Sequence, residues 1–337
     1  MKQFDYCVSN PPYQDSKNRP IFQHFQNFAN YCSETSSMIY MASRWWYGTT
    51  ILEEFRQEML CNKRLKSVDY YNFLETKRKI FDGLDIAGGV SIVNFSKNEN
   101  DYFTLRENLT NHNIEMEHES KLIYPIQASL LALARKIYQK IVENNIPVVK
   151  QRNEIRISEL ELTGKEVSLL SPEKYNENIS LLTENRIKYY ANISGLKTGK
   201  SDFYVIDKVD KYVPNNRYKV CIGQSIIEND ARPLRVFVFD KETTFGRSAA
   251  SIAYFDTLEE SENFAKYAST KFFEFCFRVT LLSRLRHLCA AVPDFVDYKN
   301  YETINWNGNI DEQLYKIFEL TEDEINVVET MRGAVRS

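Results

Sequence analysis

A short apolar stretch stopped by two consecutive prolines constrains this chain more than any other feature. Phe4-Asp5-Tyr6-Cys7-Val8-Ser9 has the length and composition of a buried strand, and Asn10-Pro11-Pro12-Tyr13 follows at once. Neither a helix interior nor a central strand continues through tandem prolines, because each fixes φ and lacks an N–H. The turn is therefore stiff, and its carbonyls can face outward as acceptors with no donors nearby. An exocyclic amine has two hydrogens, and two acceptors hold its nitrogen lone pair in line with a methyl donor. The Asn10 side-chain oxygen and the Pro11 carbonyl can supply them. Tyr13 adds an aromatic face for a planar base, a contact worth about 1–3 kcal/mol. Extracting a base from a duplex costs a few kcal/mol, a similar amount. The competing reading is a plain proline turn closing a strand.

The alternation continues downstream. Ile21, Phe22, Phe25, Phe28, Ala29 and Cys32 keep helical spacing after Pro20, which suits a first helical turn. Met38–Met41 reads as a strand, and Thr50-x-x-Glu53 as a capping box opening a helix with Ile51, Phe55 and Met59 on one face. Val68–Phe73 and Val90–Phe95 read as strands, the second after the Gly88-Gly89 turn. Strands alternating with helices up to about residue 124 predict an α/β sheet. After Pro125 a long helix runs to the Asn144–Pro147 break. Short strands follow at 203–209, 218–222, 234–239 and 251–255, then helices capped at Thr257 and Thr321.

Composition excludes several classes. Lys and Arg total 43 against 46 Asp and Glu, so any nucleic-acid surface is a local patch. Residues 181–220 carry a net charge of +4 and residues 311–330 one of −6, which suggests a basic surface in the second domain and a solvated acidic end. No run nears the ~20 apolar residues of a membrane span, and the N-terminus lacks a secretory pattern. Six scattered cysteines without a CxxC pair point to reduced thiols and a cytoplasmic protein, and the four histidines lack metal-ligand spacing. Only 11 glycines occur, with neither a GxGxxG nor a GxxxxGK[ST] pattern, so a nucleotide-like cofactor would find most of its pocket missing.

Residues 4–14, centred on Asn-Pro-Pro-Tyr, resemble motif IV of the adenine-N6 DNA methyltransferases of type II restriction-modification systems. Met41-Ala42-Ser43-Arg44-Trp45-Trp46-Tyr47-Gly48 with Leu52–Arg56 resembles that family's R-W-x-x-G and F-R segment, with Ala42-Ser43 where a proline is common. Phe81–Val90 resembles its GGV segment, and Thr270–Phe273 and Ile310–Tyr315 resemble the end of its target-recognition domain and its tail.

The resemblance implies an α/β chain: a partial Rossmann-like methyltransferase sheet, then an α+β target-recognition domain with a helical C-terminus. Residues 1–124 would be the C-terminal half of the catalytic domain, and 125–337 the recognition domain. Asn10, Pro11, Pro12 and Tyr13 would be catalytic, and Tyr13 and Phe95 would sandwich a flipped adenine. Trp45 and Trp46 read as packing, and Arg44 as a partner for a carboxylate or phosphate. Lys197 and Lys200 in a small basic turn and Arg247 in Thr243–Ser248 would contact DNA, and Arg232 and Arg235 are further candidates.

S-adenosylmethionine is the implied cofactor, yet motif I, which lies before motif IV in this gamma-like order, has no counterpart here. Half of the sheet would be missing, leaving an open strand edge. A separate cofactor-binding subunit, a truncated remnant and an expressed fragment all fit. The implied partners are double-stranded DNA and a cofactor-binding methylase subunit or an endonuclease, with no membrane. The alternative function is an inactive DNA-binding specificity subunit. Methylation of a protein glutamine or an RNA base is a third reading, against which the R-W, GGV and QLY segments weigh. No endonuclease pattern is convincing.

Overall fold

The computed structural model describes residues 4–17, 19–45, 52–86, 89–108, 111–118, 130–156, 158–160, 186–190, 193, 204–207, 216–223, 234–246, 248–279, 289 and 291–331. The chain divides into two compact units, residues 1–136 with 282–286 and residues 137–281 with 287–337.

The first unit is built on a mixed six-stranded sheet. Strand β1 (Phe4–Ser9) runs parallel to β2 (Ser33–Met41), and α1 (Phe22–Cys32) makes the crossover a parallel pair requires. β4 (Val90–Phe95) inserts antiparallel between β2 and β3 (Leu65–Tyr71). β5 (Tyr102–Glu107) lies parallel to β3, and β6 (His112–Glu117) closes that side. This last hairpin was not anticipated from the sequence, although Phe103 and Leu105 alternate with Thr104 and Arg106 as a half-buried strand should. Helices α2 (Ala42–Trp45) and α3 (Glu53–Cys61) contribute Trp45, Phe55 and Met59 to the core, which also holds Phe22, Met38, Tyr40, Val93 and Phe103, and the short α4 (Phe73–Glu75) follows β3.

Two expectations for this unit change. Helix α3 begins after Leu52, which makes no side-chain cap, and Thr50 lies outside the described residues. On α1 the buried strip is Phe22, Gln26, Ala29 and Cys32, while Phe25 and Phe28 are exposed. Gln26 can be interior because its Oε1 accepts the Tyr40 hydroxyl proton and its Nε2 donates to Asn30 Oδ1 (2.8 Å). The apolar sequence face of α1 is thus wider than the face its own sheet covers.

In the second unit β9 (Tyr218–Gly223) lies between β10 (Val236–Phe239) and β12 (Ala249–Phe255), all antiparallel. A smaller sheet sets β7 (Arg186–Tyr190) between antiparallel β8 (Tyr204–Asp207) and parallel β11 (Thr243–Phe245). The sequence boundary between the units falls within α5 (Leu131–Glu143). Helix α6 (Leu258–Ala268) opens on Thr257, whose Oγ1 accepts from the Glu260 N–H as the sequence signalled. α7 (Lys271–Val279) is capped from another helix: the Asp311 carboxylate of α8 (Ile310–Ile317) accepts from the Lys271 and Phe272 N–H groups. α9 (Glu322–Thr330) carries the expected capping box between Thr321 and Glu324. Phe264, Tyr267, Phe273, Tyr298 and Trp306 pack edge-on or tilted in the core.

The basic stretch 181–220 does not form the expected surface where it is described. Lys219 is fully buried, its Nζ donating to the Thr243 carbonyl and lying 3.4 Å from Glu159, itself only 2% exposed. The Tyr254 hydroxyl (2.6 Å) and the Thr244 hydroxyl (3.1 Å) donate to the same carboxylate. Lys188 pairs with Asp240, and Arg217 with Glu154 and Asp256. These cations neutralise interior and local acids, so a count along the sequence overstates the charge available to a ligand.

Candidate active site

The tandem-proline turn leaves the carboxyl end of β1. Strand pairing with β2 ends at Ser9, opposite Met38. Asn10 and Pro12 are exposed, Pro11 is buried and Tyr13 is half-buried. Beyond Tyr13 the loop closes on itself. Gln14 bridges Pro20, the Ile21 N–H donates to the Tyr13 carbonyl (3.4 Å), and the Asp15 carboxylate accepts from the Lys17 and Arg19 N–H groups and the Arg19 guanidinium. Bonds from the Arg19 backbone and side chain hold the Asp15 carboxyl below its usual pKa. A knot of this kind restrains the loop that carries Tyr13.

Among the described residues, neither the Asn10 side chain nor the Pro11 carbonyl is engaged in a hydrogen bond. The Tyr13 hydroxyl is buried without a partner, and burial pushes its pKa up to about 12. Tyr13 is therefore a neutral ring at any ordinary pH, held by packing and by its backbone, not by its oxygen. Two free acceptors beside an aromatic ring suit a planar group that carries an amine.

The same end of the sheet is fastened by the Gly-Gly-Val segment. Gly89 sits at φ +68°, and a Cβ there would lie 2.0 Å from the Tyr71 carbonyl oxygen, so only glycine fits. Its own carbonyl accepts from the Ala42 N–H (3.1 Å), while the Thr76 hydroxyl links the Tyr71 carbonyl to the Val90 N–H. The carboxyl ends of β2 and β3 and the start of β4 are thereby tied together. Trp45 is packing: it is fully buried, edge-on to Tyr40 and Phe55, and its indole N–H donates to Ser91 Oγ (2.8 Å).

Phe95 is not brought to this end. It lies opposite Ser36 and Leu65, five residues or about 17 Å along β4 from Val90. At 1% exposure it belongs to the core, where strand alternation places it beside Val93, and a ring covered on both faces offers none to a base. That corrects its assignment as a stacking platform. Lys197, Lys200, Arg232 and Arg247 lie outside the described residues, as do Trp46 and the side chain of Arg44. The Thr243–Ser248 segment, expected as an exposed contact loop, begins instead with the buried strand β11. Sequence reasoning also passed over Asp311, whose helix-capping role depends on a partner 40 residues away.

No group of His, Cys, Asp or Glu side chains that could hold a metal occurs among the described residues, and none of their helices is long and apolar enough to cross a membrane. No family model matches the chain, and no curated protein does. Among solved structures it is similar to the Type IIL restriction-modification enzyme MmeI in complex with DNA, with a TM-score of 0.44 and 10% identity over 98% of this chain and 55% of that one. It is also similar to the type IIG restriction endonuclease BpuSI, with a TM-score of 0.34 and 10% identity over 96% and 45%. The chain thus spans about half the length of either enzyme.

Proposed function

We propose that this chain is the base-binding and target-recognition part of a site-specific DNA adenine-N6 methyltransferase of a restriction-modification system. The observation that carries the reading is the turn Asn10–Tyr13, which puts two unengaged acceptors and a neutral aromatic ring at the carboxyl end of a parallel strand pair. The target adenine leaves the duplex, as it must for its N6 atom to be reached. Its face rests on Tyr13, and its two amine hydrogens go to Asn10 Oδ1 and the Pro11 carbonyl. Held so, the nitrogen lone pair points away from the turn, toward an incoming methyl group. The prolines keep both acceptors in place before the base arrives, which is the kind of preorganisation that lowers a barrier. The second unit reads the surrounding sequence, with Lys197, Lys200 and Arg247 as candidate DNA contacts.

S-adenosylmethionine does not fit the described residues. The single glycine beside the site with a positive φ, Gly89, spends its close approach on the Tyr71 carbonyl and leaves none for a ligand. No other glycine turn follows a strand of the six-stranded sheet among these residues. The donor is accordingly assigned to a separate cofactor-binding half, and this chain's own part is to hold the base. The lack of a glycine cradle among the described residues fits equally a second reading, a specificity subunit that binds DNA without catalysis.

Calorimetric titration of the chain with S-adenosylmethionine, alone and with a pool of random-sequence duplexes, tests the reading. The expected result is DNA binding without cofactor binding. Affinity for DNA that Asn10→Ala and Tyr13→Ala leave untouched in every selected duplex would favour the specificity subunit. No DNA binding at all would remove both readings.

A further inference from the structure

The segment between β3 and β4 carries charge that the fold itself does not use. Helix α4 continues into a π-helical turn, Thr76–Ile80, whose middle is three consecutive cations, Lys77, Arg78 and Lys79. Turns of this kind are rare and are enriched at functional sites. This one is firmly seated. The Phe81 N–H donates to the Thr76 carbonyl (2.8 Å), the Thr76 N–H donates to the Asn72 carbonyl (2.8 Å), and Thr76 is fully buried. Lys79 is held by the buried Glu75 carboxylate (2.7 Å) and Lys77 by Asp85 (2.8 Å), yet the two side chains stay 56% and 42% exposed. Arg78 between them is exposed and has no partner among the described residues. Elsewhere in this unit most described cations are engaged within the protein: Arg64 donates to backbone carbonyls, Arg106 pairs with Asp69 and Lys97 with Glu34. Lys17 is a second exception. Its backbone N–H donates to Asp15 in the loop that follows Tyr13, while its exposed ammonium meets no acid among the described residues.

Both free cations belong to one end of the sheet. Ser9, Met38, Val93 and Val68 lie abreast in the strand register, so the Asn10–Tyr13 turn leaves β1 level with Asp69–Tyr71, just before the basic turn. Three interstrand spacings of ~4.8 Å separate β1 from β3, so the segments carrying Lys17 and Arg78 are rooted roughly 14 Å apart across the carboxyl ends of these strands. We infer that this end of the sheet is a DNA-backbone track: the strand that carries the target base crosses it with one phosphate on Arg78, flanked by Lys77 and Lys79, and another on Lys17. The inference rests on the base-holding reading of Asn10–Tyr13 and supplies what that reading lacks. A base drawn out of the stack stays tethered to its own backbone, so the protein holds it best by fixing phosphates on either side. The Arg78 guanidinium presents paired N–H donors that match two phosphate oxygens. Exposed ion pairs are weak, so Lys77 and Lys79 can turn to a phosphate with little loss. Phosphate contacts carry no sequence information, which leaves recognition to the second unit.

Fluorescence-anisotropy titrations of the full chain with labelled random-sequence duplexes, over a series of salt concentrations, test the inference. Arg78→Ala and Lys17→Ala are each expected to weaken binding about three- to tenfold and to lower the slope of log affinity against log salt by about one. The double variant should lower the slope by about two, and Arg78→Lys should keep it. Lys66→Ala removes one exposed charge near the opposite end of β3 and is expected to change neither quantity. Asn10→Ala and Tyr13→Ala are expected to weaken binding with the slope unchanged, because they remove base contacts and no charge. Circular dichroism spectra of all variants should match that of the parent chain. DNA binding with an unchanged slope in Arg78→Ala and Lys17→Ala overturns the backbone track, while the base-holding reading is judged separately by the Asn10 and Tyr13 variants. A slope change in only one of the two, or an equal change in Lys66→Ala, overturns it as well. A chain that binds no DNA removes both.

Discussion

Two edge strands of this protein have met opposite fates. β12 is the outer strand of the sheet β10-β9-β12, yet all seven of its residues are buried. Its free side is covered by the chain itself: Arg156 and Ser251 exchange backbone hydrogen bonds of 3.1 and 2.9 Å, and the Glu154 carboxylate accepts the Tyr254 N–H. β1 is also outermost and also apolar, but nothing among the described residues covers its outer side, and three of its six residues are large exposed hydrophobics. The difference lies in where the covering segment comes from. For β12 it is supplied by Glu154 and Arg156 of the same unit, so the edge is a finished interior. For β1 no such segment is found among the described residues, and Phe4, Tyr6 and Val8 stay exposed.

The largest way to break this contrast is to charge both strands. Ile252→Lys, at a fully buried position of β12, is expected to cost about 4 kcal/mol or more, because an unpaired ammonium would enter a closed interior. Urea unfolding followed by circular dichroism measures it, and a change below about 1 kcal/mol would mean that β12 is not sealed. Lys219→Ala is expected to cost about 3–5 kcal/mol by the same measurement, since it strands the Glu159 carboxylate in the interior.

Next in size comes the fastening of the sheet end beside Asn10. Gly89→Ala should cost at least about 2 kcal/mol, through both its positive φ and the clash with the Tyr71 carbonyl. Gly83→Ala, with a similar φ of +74° but open space around it, should cost only about 1 kcal/mol. Equal thermal shifts for the two variants would dispose of the close-approach argument.

Tyr13→Phe is expected to be neutral or to stabilise by up to about 1 kcal/mol, because it removes a buried hydroxyl that has no partner. Its pH dependence has a definite sign. The folded-state pKa is raised from 10.0 to about 12, so the folded protein holds this proton more tightly than the unfolded chain. Stability from this group is full below pH 10 and is lost as pH rises toward 12. Tyr13→Phe should therefore flatten part of the alkaline slope in melts recorded across that range. Smallest of all, Val8→Lys should change folding stability by no more than about 0.5 kcal/mol, since the side chain is 73% exposed. A large loss there would show that β1 already has an intramolecular cover.

Local rules made much of this molecule legible in its sequence. The stop of β1 at Asn10-Pro11-Pro12, the caps at Thr257 and Thr321, and the glycine turn before β4 all follow from the missing N–H groups of proline, from hydroxyls reaching N–H groups three residues on, and from a backbone only glycine can adopt. The grouping of two acceptors and a ring in the Asn10–Tyr13 turn is legible in the same way, because they are neighbours in the chain. Only the tertiary structure decided what each apolar or charged residue meets. Phe95 and Phe28 look alike along the chain, but one is enclosed and the other exposed, since periodicity reports a face and not what lies against it. Lys219 reads as surface charge until Glu159, 60 positions away, is folded against it. Hydrophobic and electrostatic partners come from distant segments, so the sequence set the strands and turns, and packing determined which of their residues are enclosed and which stay exposed.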